Sequence, residues 1–582
     1  MSKHILACAM TFLLLVIVGC GSAAPPPSPS VAEKEAETVT EKEAPAEQQG
    51  SVVVATPTPI PPSPGVEAPA GSVQSATSDL AEMGMDPMLD NSSNVKSFFD
   101  EIHLYAIQQA PDGELVAGAA SKWEVSEDHL SWIFTVREGV KFHDGSTMTP
   151  EDIESSWNRA IMSPEAENSS AITFSPMIEN IRAEGNTVVV RTKEPQALVP
   201  LWWPSYEGGQ AGAVLKMGQS DEEIRNNPIG AGSFKFVSLS RGEFVKMEAF
   251  EDHYCCVPGF KELTVLEVPE IPTRLALLKT GGADLIEATP SVKGDIEGSG
   301  FRVISAPGAQ TAAFWFMYQN LPQSPFHDKR VREAFNLAID RQTIIDRLYA
   351  GEGGPALSFV SGPNSFGYAN DLPGYPYDPE RAKQLMEEAG YGDGFRVKIY
   401  TYLFDADFPD MPTLSQAVLG YLQELGIQGE VQIMEWNALK DEITNMLKAA
   451  CGADKVSCPS PEDAMNPDVA GREPYAVIVR GNDTRFHALR QNYSWMHSQR
   501  ATRPVIQVPE VDAGLEAVAA EFDLNKQRSL FEDFNRMMYR EFRQGLLIHV
   551  NAVFGVSDRI ASWEPISGRT YPNNQWTLMP AP

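Results

Sequence analysis

A break in composition near residue 70 constrains this chain more than any other feature. Eleven prolines stand among residues 21–70, and Glu33, Lys34, Glu35, Glu37, Glu41, Lys42 and Glu43 form a charge run between them. Large apolar residues are few there, so burial cannot offset the entropy of ordering the backbone. The stretch reads as a disordered, partly extended tether. Residues 71–582 hold no second Pro-rich linker and no short repeat. They must fold as one continuous body, too long for a single core at about 100–200 residues per domain.

The apolar run Ile5–Val18, ahead of the tether, is short for a membrane span and has the length of a signal-peptide core. It closes in Ile17-Val18-Gly19-Cys20, which resembles the lipobox of bacterial lipoproteins. The resemblance implies that residues 1–20 are a lipoprotein signal peptide and that Cys20 is lipidated and becomes the first mature residue. Residues 21–70 would then hold a globular body outside a membrane. The alternative is a plain secretory signal in which Cys20 is incidental.

Acidic side chains number 78 against 46 basic, a net charge of −32. Phosphate binding needs clustered Lys and Arg, so no nucleic-acid partner is expected. A mean hydropathy of −0.23 excludes a polytopic membrane protein. Six cysteines in 582 residues exclude a disulfide-built scaffold.

Strand-like runs include Ser131–Arg137, Thr187–Thr192, Ser233–Ser238, Leu263–Val268, Arg396–Tyr400, Tyr475–Arg480 and Leu546–Val550. Helix-like runs with apolar residues three and four apart include Pro150–Ala160, Asp328–Tyr349, Pro379–Ala389, Leu414–Leu425, Ala438–Ala449 and Lys526–Phe542. Thr149-Pro150 and Asp378-Pro379 are N-cap and first-turn pairs. Gly390 and Gly426 follow helices as stops. The fold class is α/β, large and split into lobes.

Five blocks, in order, resemble one family. The first runs from Gly113-Glu114-Leu115 through Trp123 and the strand Trp132–Val136 to Lys141-Phe142-His143-Asp144-Gly145 and Met148-Thr149-Pro150-Glu151-Asp152-Ile153. The second is Asn227-Pro228-Ile229-Gly230-Ala231-Gly232-Ser233-Phe234. The third is Phe326-His327-Asp328-Lys329-Arg330-Val331-Arg332-Glu333-Ala334-Phe335, ending in Ala338-Ile339-Asp340-Arg341. Tyr377–Tyr391 and Leu422–Ile427 complete the set. Together they resemble the extracytoplasmic solute-binding proteins of ABC importers, family 5, the oligopeptide, dipeptide and nickel type. Most of these residues have structural work: Asp144-Gly145 makes a turn, and Glu151 and Asp152 sit favourably in a helix first turn.

The resemblance implies a two-lobed periplasmic-binding-protein clamp of class II, the large three-subdomain type, with hinge crossovers. Lobe I would span 71–305 with an inserted subdomain at about 91–210, lobe II 306–545, and 546–582 would return to lobe I. The crossings would fall near Val303–Asn320 and Leu546–Ser557. A solute, first of all an oligo- or dipeptide, would be trapped between the lobes and handed to ABC permease subunits. Opines, oligosaccharides, metal chelates and a sensor or adhesin role remain alternatives. The resemblance implies a monomer, no cofactor and no metal.

Enzyme motifs are weak. Ser93-Asn94-Val95-Lys96 and Lys279-Thr280-Gly281 match two acyl-enzyme elements, but Tyr318-Gln319-Asn320, the needed middle one, follows both. No G-x-S-x-G, P-loop or H-E-x-x-H occurs. His487 and His497, ten apart, suit core or solvated roles better than metal ligation.

Solute-binding candidates come from aromatic walls with a few oriented polar groups. In peptide-binding relatives an Asp of lobe II pairs with the peptide α-amine. Asp483, in Arg480-Gly481-Asn482-Asp483, can be laid on it; the Trp that usually stands just before it in the family is absent, with Arg480 nearby instead. An Arg there could favour a carboxylate or phosphate. The loop carrying Asp86, Met88, Asp90 and Asn91 resembles a cleft-lining loop. Trp202, Trp203 and Tyr206 form an aromatic cluster, and Trp495 follows Tyr493; adjacent tryptophans cannot share one strand face, so one of the pair belongs in a core. Outside the cytoplasm Cys451 and Cys458, around a short loop, are expected to be bridged. Adjacent Cys255 and Cys256 are expected as free or buried thiols.

Overall fold

The computed structural model describes residues 58–59, 68–80, 84–89, 95–111, 114–164, 171, 174–204, 211–359, 361–403, 408–452, 455–483 and 487–582. Cys20 and most of the tether lie outside them.

One eleven-stranded sheet organises the body. Its order is Phe234–Ser240, Phe244–Ala249, Glu262–Glu267, Ser72–Thr77, Leu285–Ala288, Gly545–Val556, Arg302–Phe316, Tyr475–Asp483, Arg396–Tyr402 and Gln428–Met434, with Gly353–Pro355 pairing beside Gly545–Val556. Parallel pairs are bridged by helices, as parallel connections require. A separate four-stranded antiparallel sheet is built from Ala120–Val125, Ser131–Val136, Thr187–Thr192 and Ile178–Glu184.

Two strands are far longer than the rest: Arg302–Phe316 and Gly545–Val556. They pair antiparallel and join two lobes. Their early and late ends contribute Ala306 and Phe554 to the core that holds Val73, Phe98, Phe99 and Leu263. Their other ends contribute Phe314 and Leu547 to the core that holds Phe335, Val397 and Val477. Between the two stretches the register shifts from Ala306 to Gln310, a bulge that bends the pair where the lobes meet. Gly308 in the bulge has φ +58°, and a Cβ there would lie 2.4 Å from Pro363 Cδ, so glycine fits both conformation and space. Asn551 fastens the bulge, accepting from Gly308 N at 3.1 Å and donating to Glu352 at 3.0 Å.

Local capping follows the sequence. Thr149 N donates to Asp152 Oδ2 at 2.7 Å in a capping box, and Asp378 accepts from Arg381 N at 2.9 Å. The single helix expected over Asp328–Tyr349 is instead two, Lys329–Leu337 and Arg341–Leu348. Asp340 ends the first by capping the second, accepting from Thr343 N at 3.0 Å.

The lobes touch beyond the hinge. Phe522 stacks on His129 with ring centroids 4.1 Å apart, Arg490 lies 5.4 Å over the Phe174 ring, and Arg528 pairs with Glu114 at 2.8 Å.

Candidate functional site

Strand pairing sets the site. Ala313 faces Arg480 and Trp315 faces Ile478 across the ladder. A period of two then places Trp315, Ile478, Arg480 and Asn482 on one face, while Phe314, Phe316, Val477 and Val479 fill the core on the other. The guanidinium of Arg480 is caged by rings, its Cζ 4.0 Å from the Trp495 centroid, 4.9 Å from Trp436, 5.3 Å from Trp315 and 5.8 Å from Phe359. Its Nη2 donates to Asn482 Oδ1 at 3.3 Å. Arg480 is only 3% exposed.

The supporting layer is specific. Tyr402 Oη donates to Gly481 O at 2.7 Å, and a Cβ on Gly481 would lie 2.1 Å from Phe408 Cβ. Only glycine lets Phe408 pack this closely on the strand at position 481. Ring faces stabilise a desolvated cation through their quadrupoles. A guanidinium is also a planar donor fork whose geometry matches a carboxylate or phosphate.

Arg480 and Trp495 are therefore brought together, joined by Trp315, Trp436 and Phe359, which sequence reasoning missed. Asp483 closes the same strand, its backbone opposite Gln310. Asp90, Asn91 and Tyr206 lie outside the described residues. Trp202 and Trp203 require correction as cleft walls. Trp203 is fully buried, stacked 3.7 Å from Trp157, and Trp202 stacks 4.5 Å from Phe174. Both fill the core under the four-stranded sheet, where their large apolar area is removed from water. Asp86 is also structural: it is fully buried and takes Arg159 through both oxygens, at 3.1 and 2.5 Å.

A second concavity lies in lobe I. It encloses about 950 Å³ of empty space, part of it open to solvent, with Glu101, Tyr105, His253, Cys255, Cys256 and Arg569 in its wall. Burial pushes the Glu101 carboxyl up to about 8, against hydrogen bonds from Gln575 N at 2.5 Å and Ser233 Oγ at 3.2 Å. Cys451 and Cys458 are bridged. Cys255 and Cys256, expected as thiols, are bonded to each other. The backbone N–H of Cys256 donates to His253 Nδ1 at 3.1 Å, and this local turn sets the neighbouring sulfurs side by side. His253, Cys255 and Cys256 place their donor atoms within 4.8 Å of one another, the one such trio among the described residues.

No helix among the described residues is long and apolar enough to cross a membrane. Among solved structures, the chain is similar to HbpA2 from Haemophilus parasuis, with a TM-score of 0.72, 18% identity, and coverage of 88% of this chain and 100% of that one. Among curated proteins it is 28% identical over 345 residues to heme-binding protein A of Haemophilus influenzae, covering 54% of this chain and 61% of that protein. It is 25% identical over 349 residues to the dipeptide-binding protein of Escherichia coli, covering 56% and 64%. The matches thus span about six tenths of these curated relatives' lengths. The family profile described as bacterial extracellular solute-binding proteins, family 5 Middle, matches residues 114–468, more than half of the sequence. The two lobes, the paired hinge strands and this match lead to one conclusion: the chain belongs to the family 5 bacterial extracellular solute-binding proteins.

Proposed function

We propose that the chain is the solute-capturing component of an ABC importer and performs no bond chemistry. It closes two lobes on a small solute, an oligo- or dipeptide, and presents it to permease subunits in the membrane. In this proposal residues 71–305 and 546–582 form lobe I, with an inserted subdomain at about 91–210, and residues 306–545 form lobe II. The observation that carries it is the ring-caged Arg480 on the strand that ends at Asp483. A peptide presents a cation at one end and a carboxylate at the other. Asp483 suits the α-amine and Arg480 a carboxylate, each as a charge-assisted hydrogen bond. Trp495 supplies the aromatic wall, and Asp90, Asn91 and Tyr206 are assigned to the same cleft. The dipeptide-binding relative supports the peptide class. The charge of Arg480 favours a second solute class, an anionic non-peptide such as an opine.

Cys20 is assigned as the lipid anchor that holds the body at the membrane surface. Cys20→Ala should release the protein, and a variant that stays bound would remove that assignment.

The solute class is tested by thermal shift with di- to pentapeptides, opines, oligosaccharides and metal chelates. A solute that binds only the folded clamp raises stability by about 2.7 kcal/mol at a hundredfold excess over Kd. Asp483→Asn should weaken a peptide held through its amine by about 1.5–3 kcal/mol. A shift with an anionic solute and none with peptides would replace the peptide assignment.

A further inference from the structure

The vicinal cysteine pair belongs to no part of the proposed clamp mechanism. It sits in the wall of the lobe I cavity, just past the strand Phe244–Ala249. His253 N donates to Phe250 O at 3.1 Å, which closes the turn and swings the imidazole toward the two sulfurs. His253 Nδ1 lies 3.8 Å from Cys255 Sγ. A tetrahedral zinc site with ordinary Zn–N and Zn–S bonds places N and S ligands about 3.6 Å apart and two S ligands about 3.8 Å apart. The separation between His253 Nδ1 and Cys255 Sγ already fits, all three donor atoms lie within 4.8 Å of one another, and the sulfur pair must part.

The chemistry of the donors points the same way. The hydrogen bond from Cys256 N–H to His253 Nδ1, at 3.1 Å, shows a ring-nitrogen lone pair directed at this turn. That lone pair now accepts the Cys256 N–H, a bond that a metal ion would displace. Thiolates and imidazole together select thiophilic cations over magnesium or calcium. The adjoining cavity leaves room for a water as fourth ligand, the arrangement of an open rather than a closed site.

We infer that His253, Cys255 and Cys256 form a redox-gated site for a thiophilic divalent cation, closed by the Cys255–Cys256 disulfide and opened by its reduction. Opening transfers two electrons and two protons from a dithiol reductant, which leaves as a disulfide. Metal binding then releases both thiol protons to solvent, and the cation bonds two thiolates and one imidazole nitrogen. The site is independent of the solute held between the lobes.

The test uses the full chain and cadmium ion as the probe. One sample is kept oxidised. The other is reduced with a phosphine, which becomes the phosphine oxide, and is desalted without oxygen. Sulfur-to-cadmium charge-transfer absorption and equilibrium dialysis read binding. The reduced chain should take up one cadmium ion and the oxidised chain none. Because Cys451 and Cys458 are reduced as well, a Cys255→Ser/Cys256→Ser variant is reduced in parallel and should lose the absorption. His253→Ala should weaken binding about tenfold while keeping it. The oxidised and reduced wild-type samples share one sequence, so their comparison stands even if a variant folds poorly. Equal uptake by reduced wild type and the double serine variant, or no uptake on reduction, overturns the inference.

Discussion

Buried arginines are treated in two ways in this protein. In lobe II, Arg341 is buried and donates to Leu546 O at 2.7 Å, Asn336 O at 2.8 Å and Ile339 O at 3.1 Å. Arg332 likewise donates to Phe326 O and His327 O, both at 2.8 Å, and to Glu541 O at 2.9 Å. Each ties a helix to the chain segment entering the second hinge strand. Arg480, in the same lobe, is faced by four aromatic rings. A carbonyl-clothed guanidinium has spent its directional donors on the fold. The ring-caged one is surrounded by aromatic faces and donates from Nη2 to Asn482 Oδ1 at 3.3 Å. The two kinds of buried arginine thus differ in what surrounds them, and the proposed solute contact falls on the ring-faced one.

The largest expected effect tests the structural side. Arg341→Met should cost about 4 kcal/mol in denaturant unfolding, because several buried carbonyls lose their donor at once. Arg480→Met should cost about 1 kcal/mol or less, since a flexible apolar side chain can occupy the ring cage. Equal losses for the two variants would break the comparison.

Next comes a group that buries itself by giving up its charge. The unfolded chain releases the Glu101 proton near its ordinary value of 4.5, whereas burial keeps it on the folded protein up to about 8. Between these values the unfolded state binds fewer protons, so the contribution of Glu101 to stability falls as pH rises. From about pH 5 to pH 8 the loss is on the order of 3 kcal/mol relative to Glu101→Gln. Parallel stability–pH curves for the two proteins would show that the carboxyl is charged and stabilised in the fold, like the carbonyl-clothed arginines.

Arg480→Met should then weaken the bound solute by about 1.5–3 kcal/mol, the worth of a charge-assisted hydrogen bond. Isothermal titration with the solute found by thermal shift measures it. Undiminished affinity would return Arg480 to the structural class despite its ring cage.

Local features were legible in the sequence because their causes are local. The Thr149-Pro150 and Asp378-Pro379 caps depend on residues within one turn. The helix break at Asp340 was readable too: Asp340 three residues before Thr343 is a capping signal, but the apolar stripe continuing to Leu348 masked it. The aromatic cage was not legible as a whole. Trp315, Phe359, Trp436, Arg480 and Trp495 come from five separated segments, and only the ladder register of the hinge strand with Tyr475–Asp483 brings them together. Of Trp202 and Trp203 the sequence placed one in a core and offered the pair as cleft candidates; the fold buries both, against Phe174 and Trp157. The Cys255–Cys256 bond is not legible in the sequence, where adjacent cysteines read as thiols and nothing local marks the His253 contact at the turn.

The smallest predicted effect concerns closure, which decides whether the ring-caged arginine can exchange its partner at all. Away from the hinge, the lobes meet through Phe522 on His129 and Trp132, at 4.1 and 6.1 Å, and through the exposed Arg528–Glu114 pair. An exposed ion pair contributes well under about 1 kcal/mol, so Glu114→Gln should change little. The aromatic stack contributes about 1 kcal/mol, so Phe522→Ala should shift the open–closed balance about fivefold toward open. The solute off-rate should rise by that factor with the on-rate nearly constant, because the contact forms only after the lobes approach. Solution scattering on the solute-free variant should show a larger radius of gyration. Since Phe522 packs on His129 and Trp132 while Arg480 sits in the ring cage within lobe II, the off-rate effects of Phe522→Ala and Arg480→Met should add in free energy. A double variant no faster in release than Arg480→Met alone would mean that lobe opening does not limit release, and that the guanidinium alone holds the solute.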